Sequence, residues 1–263
     1  MDLGIRGRVA LVAASGRGLG LATAHRFAME GCHVAICDKE ESVLPAAVTQ
    51  VQAADPSVRV AAYPVDLTQA EAINALVARV KAELGPVDIL VTNSGGPPPG
   101  GFDEADDAKW EFAYKLTFLS AVRLIRAVLP DMKARRWGRI INFTSRALKE
   151  PIPNLMISNA VRLAVGGMAK TLAAEVAPYG ITVNNLLPGP TSTDRQLELI
   201  ANRAKRQNVP QEQALAEIVR EIPIGRLARP EEQAAAAAFL ASEPAGYITG
   251  VSLLVDGGAV KAL

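Results

Sequence analysis

The stretch that decides the fold is Val9-Ala10-Leu11-Val12-Ala13-Ala14-Ser15-Gly16-Arg17-Gly18-Leu19-Gly20. Its apolar half, Val9–Ala14, has no polar alternation and reads as a strand buried on both faces. A turn of small residues follows, and a helical pattern over Leu19–Glu30 begins at once. Small residues let the backbone turn tightly, present N–H groups at a helix N-terminus and let the helix pack close to the strand. That arrangement suits a pyrophosphate. Ser15, Gly16, Arg17, Gly18, Leu19 and Gly20 are therefore candidate cofactor-binding residues. A glycine turn alone is weak support, but an acidic residue closing the second strand strengthens it. Asp38 occupies that place. Its carboxylate suits the two ribose hydroxyls of an adenosine and repels a 2′-phosphate. Arg17 and Lys39 pull the other way, towards a 2′-phosphate. The carboxylate decides for NAD, with NADP as the alternative.

Outward from this turn, Val- and Ile-rich runs recur at His33–Asp38, Val58–Val65, Val87–Asn93, Arg139–Thr144, Ile181–Leu187 and Val251–Val255. Helical patterns alternate with them at Glu41–Ala54, Gln69–Leu84, Asp106–Arg135, Leu155–Ala177 and Glu231–Ser242. Such alternation implies parallel strands joined by right-handed crossovers. The chain thus reads as α/β, a doubly wound Rossmann-type parallel sheet of about seven strands with helices on both faces. An eight-stranded barrel would need more units and a different first turn. No repeat or linker divides the chain, so residues 1–263 read as a single NAD(P)-binding domain. Residues 190 to about 228 break the alternation with a polar, partly helical insertion. An insertion at the C-terminal edge of a parallel sheet is placed to be a substrate lid. The Pro-rich loop Gly95–Gly101 follows the fourth strand and reads as a stiff wall near the same edge.

The 263 residues are 49% hydrophobic and 21% charged, with a net charge of +1. That is enough apolar material for a large core, and too little charge bias to favour a nucleic-acid or membrane-surface partner. The two cysteines, Cys32 and Cys37, and the two histidines, His25 and His33, lack metal-site spacing, so no metal is expected. A reducing compartment suits them. The N-terminus has no basic segment followed by an apolar stretch, and no apolar run nears a bilayer span. The expectation is a soluble cytoplasmic protein with a small-molecule substrate.

On these residues the chain resembles the short-chain dehydrogenase/reductase family over essentially its whole length, most closely its β-ketoacyl-carrier-protein-reductase-like branch. The family's Thr-Gly-x-x-x-Gly-Ile/Leu-Gly falls on Ala13, Ala14, Gly18, Leu19 and Gly20, so its first Thr and Gly are both Ala here. Asp66-Leu67 matches the pair that holds the adenine amine. Asn93-Ser94-Gly95 matches the tail of Asn-Asn-Ala-Gly. Pro188-Gly189, with Thr191 and Thr193 beyond it, matches the stretch that holds the nicotinamide. Val255-Asp256-Gly257-Gly258 matches the closing strand and turn. The resemblance implies NAD(P)-dependent carbonyl or alcohol chemistry. Through the long helices at 106–135 and 155–177 it also implies a homotetramer or homodimer.

The catalytic positions depart from the family. Its Asn, Ser, Tyr and Lys fall on Thr117, Ser145, Ser158 and Arg162. The ungapped match Gly167–Ala173 fixes that register. A serine hydroxyl is a far weaker acid than a phenol, and Arg162 holds its proton. Losing general acid–base assistance lowers rates by about 10²–10⁴-fold. Lys149, four residues past Ser145, is a candidate replacement on a loop expected to border the substrate. Arg162 remains a candidate contact for the nicotinamide ribose. Tyr114 is a weaker substitute for the phenol, and Asn159 and Arg146 are candidate substrate contacts. The basic run Arg195, Arg203, Lys205 and Arg206 is either a solvated helix face or a site for a carboxylate or phosphopantetheine. Three functions stay open: an oxidoreductase with a non-standard proton path, a non-redox enzyme that keeps the dinucleotide, and a non-catalytic sensor or partner subunit.

Overall fold

In the computed structural model, which describes residues 1–262, seven strands form: β1 (Val9–Val12), β2 (His33–Asp38), β3 (Val60–Pro64), β4 (Ile89–Thr92), β5 (Gly138–Phe143), β6 (Ile181–Pro188) and β7 (Ser252–Val255). They make one sheet in the order β3-β2-β1-β4-β5-β6-β7, and every pairing is parallel. Among the described residues the nine α-helices are α1 (Gly18–Met29), α2 (Leu44–Gln52), α3 (Ala70–Glu83), α4 (Asp107–Ala113), α5 (Ser120–Arg135), α6 (Met156–Val176), α7 (Asp194–Gln207), α8 (Gln211–Arg220) and α9 (Pro230–Ala241).

The strands are apolar along their length because both faces are covered. One face packs on α3, α5 and α6 through Leu76, Val80, Leu124, Val128, Ala169 and Ala173. The other packs on α1, α2 and α9 through Ala24, Phe27, Ala47, Val51, Ala238 and Leu240. Strand order reverses between β1 and β4. In such sheets the crevice beyond the carboxyl ends of these strands is the ligand position.

Three features differ in detail from the sequence reading. The run over 106–135 is not one helix: a π-helical segment, Tyr114–Leu119, separates α4 from α5. There the Ser120 hydroxyl donates back to the Leu116 carbonyl. π-turns inside helices concentrate at functional sites, and this one carries Thr117. Residues 190–228 hold two helices, α7 and α8, which pack on each other through Ile200, Ala204, Ala214 and Ile218, with Ile222 and Ala259 closing a cluster of their own. Last, β1 ends at Val12 rather than Ala14. Ala14 takes a left-handed backbone, φ 45°, the conformation in which a glycine is at ease.

A left-handed alanine is strained by about 1–2 kcal/mol. Glycine removes that strain but adds about 0.4–1 kcal/mol of unfolded-state entropy. Ala14→Gly is therefore expected to leave stability unchanged or raise it by up to about 1.5 kcal/mol. Urea unfolding checks this, and a clear loss would contradict the strain.

Candidate active site

A cavity of about 670 Å³ runs along the carboxyl ends of the strands, well within the size of small-molecule sites. One end is lined by Ala14, Arg17, Gly18, Leu19, Asp38, Lys39, Asp66 and Leu67. Asn93, Ser94, Gly95, Pro188, Gly189 and Thr193 line its middle, and Ser145, Arg146, Ser158 and Arg162 its far end. The N-terminus of α1 opens onto it with no side-chain cap and no acidic residue in its first turn. Uncapped N–H groups and the helix dipole there suit an anion such as a pyrophosphate.

Glycine is required at two points of the turn by close approach. A Cβ on Gly20 would lie 2.7 Å from Ser15 Cα, and one on Gly16 would lie 2.8 Å from Asp38 Oδ2. Both residues are buried and shape the turn from behind rather than lining the cavity. Ser15, expected at the cofactor, is also drawn inward. Its hydroxyl donates to the Val12 carbonyl (2.7 Å) and accepts the Cys37 N–H (3.1 Å), bridging β1 and β2 where their ladder ends. Thr191 is likewise turned away: it is buried, donates to the Gly189 carbonyl (2.9 Å) and accepts from Gln233 (3.4 Å).

At the adenosine end, Asp38 accepts the Gly16 N–H on Oδ2 and the Glu40 N–H on Oδ1, both at 3.1 Å. The two nearby cations are already paired, Arg17 with Glu40 at 2.8 Å and Lys39 with Asp66 at 2.9 Å. Burial pushes the Asp66 carboxyl up, but Lys39 and the Thr68 hydrogen bonds together outweigh it and hold it below the usual range. Asn93 donates to the Ala14 carbonyl (3.1 Å), tying the end of β4 to the turn.

The far end is organised by Arg162. Its Nε donates to Ser158 Oγ (3.1 Å), Nη1 to the carbonyls of Phe143 (3.2 Å) and Thr144 (2.8 Å), and Nη2 to that of Gly95 (2.7 Å). Three of the five guanidinium N–H groups thus bolt α6 to the end of β5 and the loop after β4, and a fourth holds Ser158 within α6. Burial, and after it the charge of Arg195, pulls Arg162 down to about 10, so it stays cationic at neutral pH. Ser145 accepts the Ala147 N–H on its oxygen (3.1 Å). Each serine hydroxyl therefore has a donor on its oxygen and a proton left for a ligand in the same cavity.

The other expected residues sit elsewhere. Lys149 is exposed and outside the cavity lining, because the 3₁₀ turn Arg146–Leu148 carries it round to solvent. Tyr114 is exposed and stacked on Phe118 at 5.4 Å. Asn159 spends both ends of its amide on Ile152, donating to its carbonyl (2.9 Å) and accepting its N–H (3.4 Å). Thr117 is buried beside a separate cavity of about 10 Å³ that also touches Asn93, Thr144 and Arg162. Its Oγ1 has no hydrogen-bond partner among the described residues. That volume is about the size of one water.

Some supporting residues carried no motif. Phe112, Leu116 and Asn154 line the far end of the cavity. Beneath it a buried ladder crosses four strands: Thr92 donates to Asn142 (2.8 Å), Asn142 to Asn185 (3.1 Å), and Asn185 to Ser252 (3.2 Å). Polar residues inside otherwise apolar strands were its signal. Cys32 and Cys37 are buried, and burial pushes both thiols up to about 12, leaving them unreactive. No described helix is long and apolar enough to cross a membrane.

Comparison with known proteins agrees with this geometry. Residues 13–260 match the family described as Enoyl-(Acyl carrier protein) reductase. The chain is 33% identical over 256 residues to 2,3-dihydro-2,3-dihydroxybenzoate dehydrogenase of Bacillus subtilis, covering 97% of each chain. It is also 33% identical to the 3-oxoacyl-(acyl-carrier-protein) reductase of Haemophilus influenzae, covering 97% of this chain and 98% of that one. The crystal structure of L-sorbose reductase from Gluconobacter frateurii, complexed with NADPH and L-sorbose, superposes with a TM-score of 0.94 at 36% identity over 100% of both chains. With its seven-stranded parallel sheet and its dinucleotide-type turn, the chain belongs to the short-chain dehydrogenase/reductase family of NAD(P)-dependent oxidoreductases.

Proposed function

We propose that the protein reduces a carbonyl, or oxidises the matching alcohol, with NAD and without a tyrosine–lysine relay. When bound, the nicotinamide supplies or accepts the hydride. Reduction adds that hydride to the carbonyl carbon and a proton to its oxygen. Ser145 and Ser158 hold that oxygen with their two free hydroxyl protons, and Arg162 fixes Ser158 and the loop at Gly95. No phenol, imidazole or thiol lines the cavity among the described residues, so the proton reaches the oxygen from solvent. Arg17, Gly18, Leu19, Asp38, Asp66, Leu67, Asn93, Pro188, Gly189 and Thr193 are assigned to the dinucleotide. Residues 190–228 are the substrate lid of a single domain. By family habit the protein is a cytoplasmic homotetramer or homodimer.

The observation that carries this reading is the pinned pair of serine hydroxyls facing one cavity. Two fixed donors aimed at a developing oxyanion form the usual electrostatic device for such a step, and deleting one costs about 10²–10³-fold in kcat. Ser145→Ala is expected to lower NADH oxidation against a carbonyl panel by about 10²-fold while NADH binding is unchanged. Ser158→Ala should act in the same direction, and the pair should abolish measurable turnover. Turnover that survives both replacements defeats the assignment. NADH binding with no turnover of any substrate would point instead to the sensor.

A further inference from the structure

The far end of the cavity is rich in arginine, and its arginines are unequally satisfied. On α7, Arg195, Leu199, Asn202, Arg203 and Arg206 recur at helical spacing and all line the cavity. Lys205 lies outside that lining and is exposed. Arg195 donates to the Pro97 carbonyl at 2.6 Å and pairs with Glu198 at 3.3 Å. Arg203 pairs with Glu217 at 3.1 Å and Glu221 at 3.7 Å. Arg162 spends four of its five N–H groups on the bonds described above. Arg146, which directly follows Ser145, is half-buried. Neither it nor Arg206, which is exposed but lines the cavity, makes a side-chain hydrogen bond or an ion pair among the described residues.

Arg146, a half-buried cation without a partner, is unfavourable unless a ligand completes it, and the exposed Arg206 on the same lining is free to join that ligand. The planar guanidinium fork matches a carboxylate or a phosphate in two parallel hydrogen bonds. The carboxylates lining this end do not fill the role. Glu221 is taken by Arg203, and Asp194 occupies the first turn of α7, where the helix dipole already favours it.

We infer that Arg146 and Arg206 form a subsite for an anionic group on the substrate, a carboxylate or a phosphate ester, held beside the carbonyl that Ser145 contacts. The substrate class is then an oxo or hydroxy acid, or a phosphorylated ketone. Phe112, Leu116 and Leu199 supply the apolar wall for its carbon chain. The inference rests on the hydride-transfer reading for calling that ligand the substrate.

Calorimetric titration of the NAD⁺-loaded protein tests it with two matched pairs: acetoacetate against methyl acetoacetate, and dihydroxyacetone phosphate against dihydroxyacetone. Loading with cofactor first keeps the probe anions out of the pyrophosphate position. At least one anion is expected to bind tenfold or more tightly than its neutral twin, and which pair shows this separates carboxylate from phosphate. That advantage should shrink to under threefold in Arg146→Gln, shrink partly in Arg206→Gln and recover partly in Arg146→Lys. Arg146 and Arg206 make no internal bonds, so the variants should fold normally. Neutral twins that bind as well, an anion preference that survives the Arg146→Gln/Arg206→Gln double variant, or no anion binding below 10 mM overturns the inference. NADH oxidation is measured on the same preparations with the same compounds. Anion-selective binding without turnover would defeat hydride transfer and leave the subsite standing; equal turnover of anions and neutral twins would do the reverse.

Discussion

NADH is expected to bind more tightly than NADPH, and Asp38→Asn to swing that preference by about a hundredfold. The argument rests on the end of β2. Asp38 faces the cavity with a carboxylate whose two oxygens already accept backbone N–H groups, so it is held in place before any ligand arrives. Hydrogen bonds to a charged acceptor are worth about 1.5–3 kcal/mol against about 0.5–1.5 for neutral ones. Losing the charge should therefore weaken the hold on the ribose hydroxyls about tenfold. The same charge opposes a 2′-phosphate. At about 4 Å and an effective dielectric near 20, that repulsion is about 4 kcal/mol per unit charge before screening, so even a fraction of it supplies a second factor of ten. Arg17 and Lys39 would rescue NADPH only if they were free, and each is paired with a carboxylate, Glu40 and Asp66. Asparagine keeps an acceptor for the Gly16 N–H, so the turn should survive. Fluorescence titration with both cofactors measures the swing. A wild-type preference for NADPH would remove Asp38 from the ribose.

The sheet and its cofactor end were legible in the sequence because they rest on local rules. Unalternating apolar runs mark strands covered on both faces, and the glycine spacing marks a helix packed hard against β1. What the rules could not reach was the direction of individual side chains. Ser15 and Thr191 sit in the right motifs, yet each satisfies a buried carbonyl next to its own turn, and a hydroxyl one bond from such a partner turns inward. Lys149 lies the right distance along the chain but on the wrong side of a 3₁₀ turn. Arg162 is the most instructive case. Counting placed it, and chemistry showed that it could not pass a proton, but only packing shows that it holds together three segments that a lysine would leave partly unbonded. The π-turn at Thr117 left no trace in the apolar periodicity, since a single widened turn moves the pattern by only one residue.

Installing the missing group, by Thr117→Asn, Ser158→Tyr and Arg162→Lys together, is expected to raise carbonyl reduction by about 10²–10⁴-fold, the usual contribution of a positioned acid. The structure sets conditions on this result. Lys has three donors where Arg162 fills four acceptors, so Arg162→Lys alone should leave a buried carbonyl unmet. It should lower stability by about 2 kcal/mol and give no gain in rate. Ser158→Tyr alone adds a phenol with an ordinary value near 10, lowered only in part by Arg162, whose charge is already spread over three carbonyls. The gain should therefore appear when the phenol and the ammonium are introduced together. Thr117→Asn adds amide donors at a position whose hydroxyl has no partner among the described residues, beside the small cavity that Arg162 also touches. A pH series separates this outcome from a general improvement in packing. Carbonyl reduction by the wild type should show no limb belonging to a phenol. The triple variant should acquire one below pH 10, with activity falling as the phenol loses its proton. Should the triple variant fold, bind NADH as the wild type does and still show neither the gain nor the limb, then Thr117, Ser158 and Arg162 do not occupy the three catalytic places.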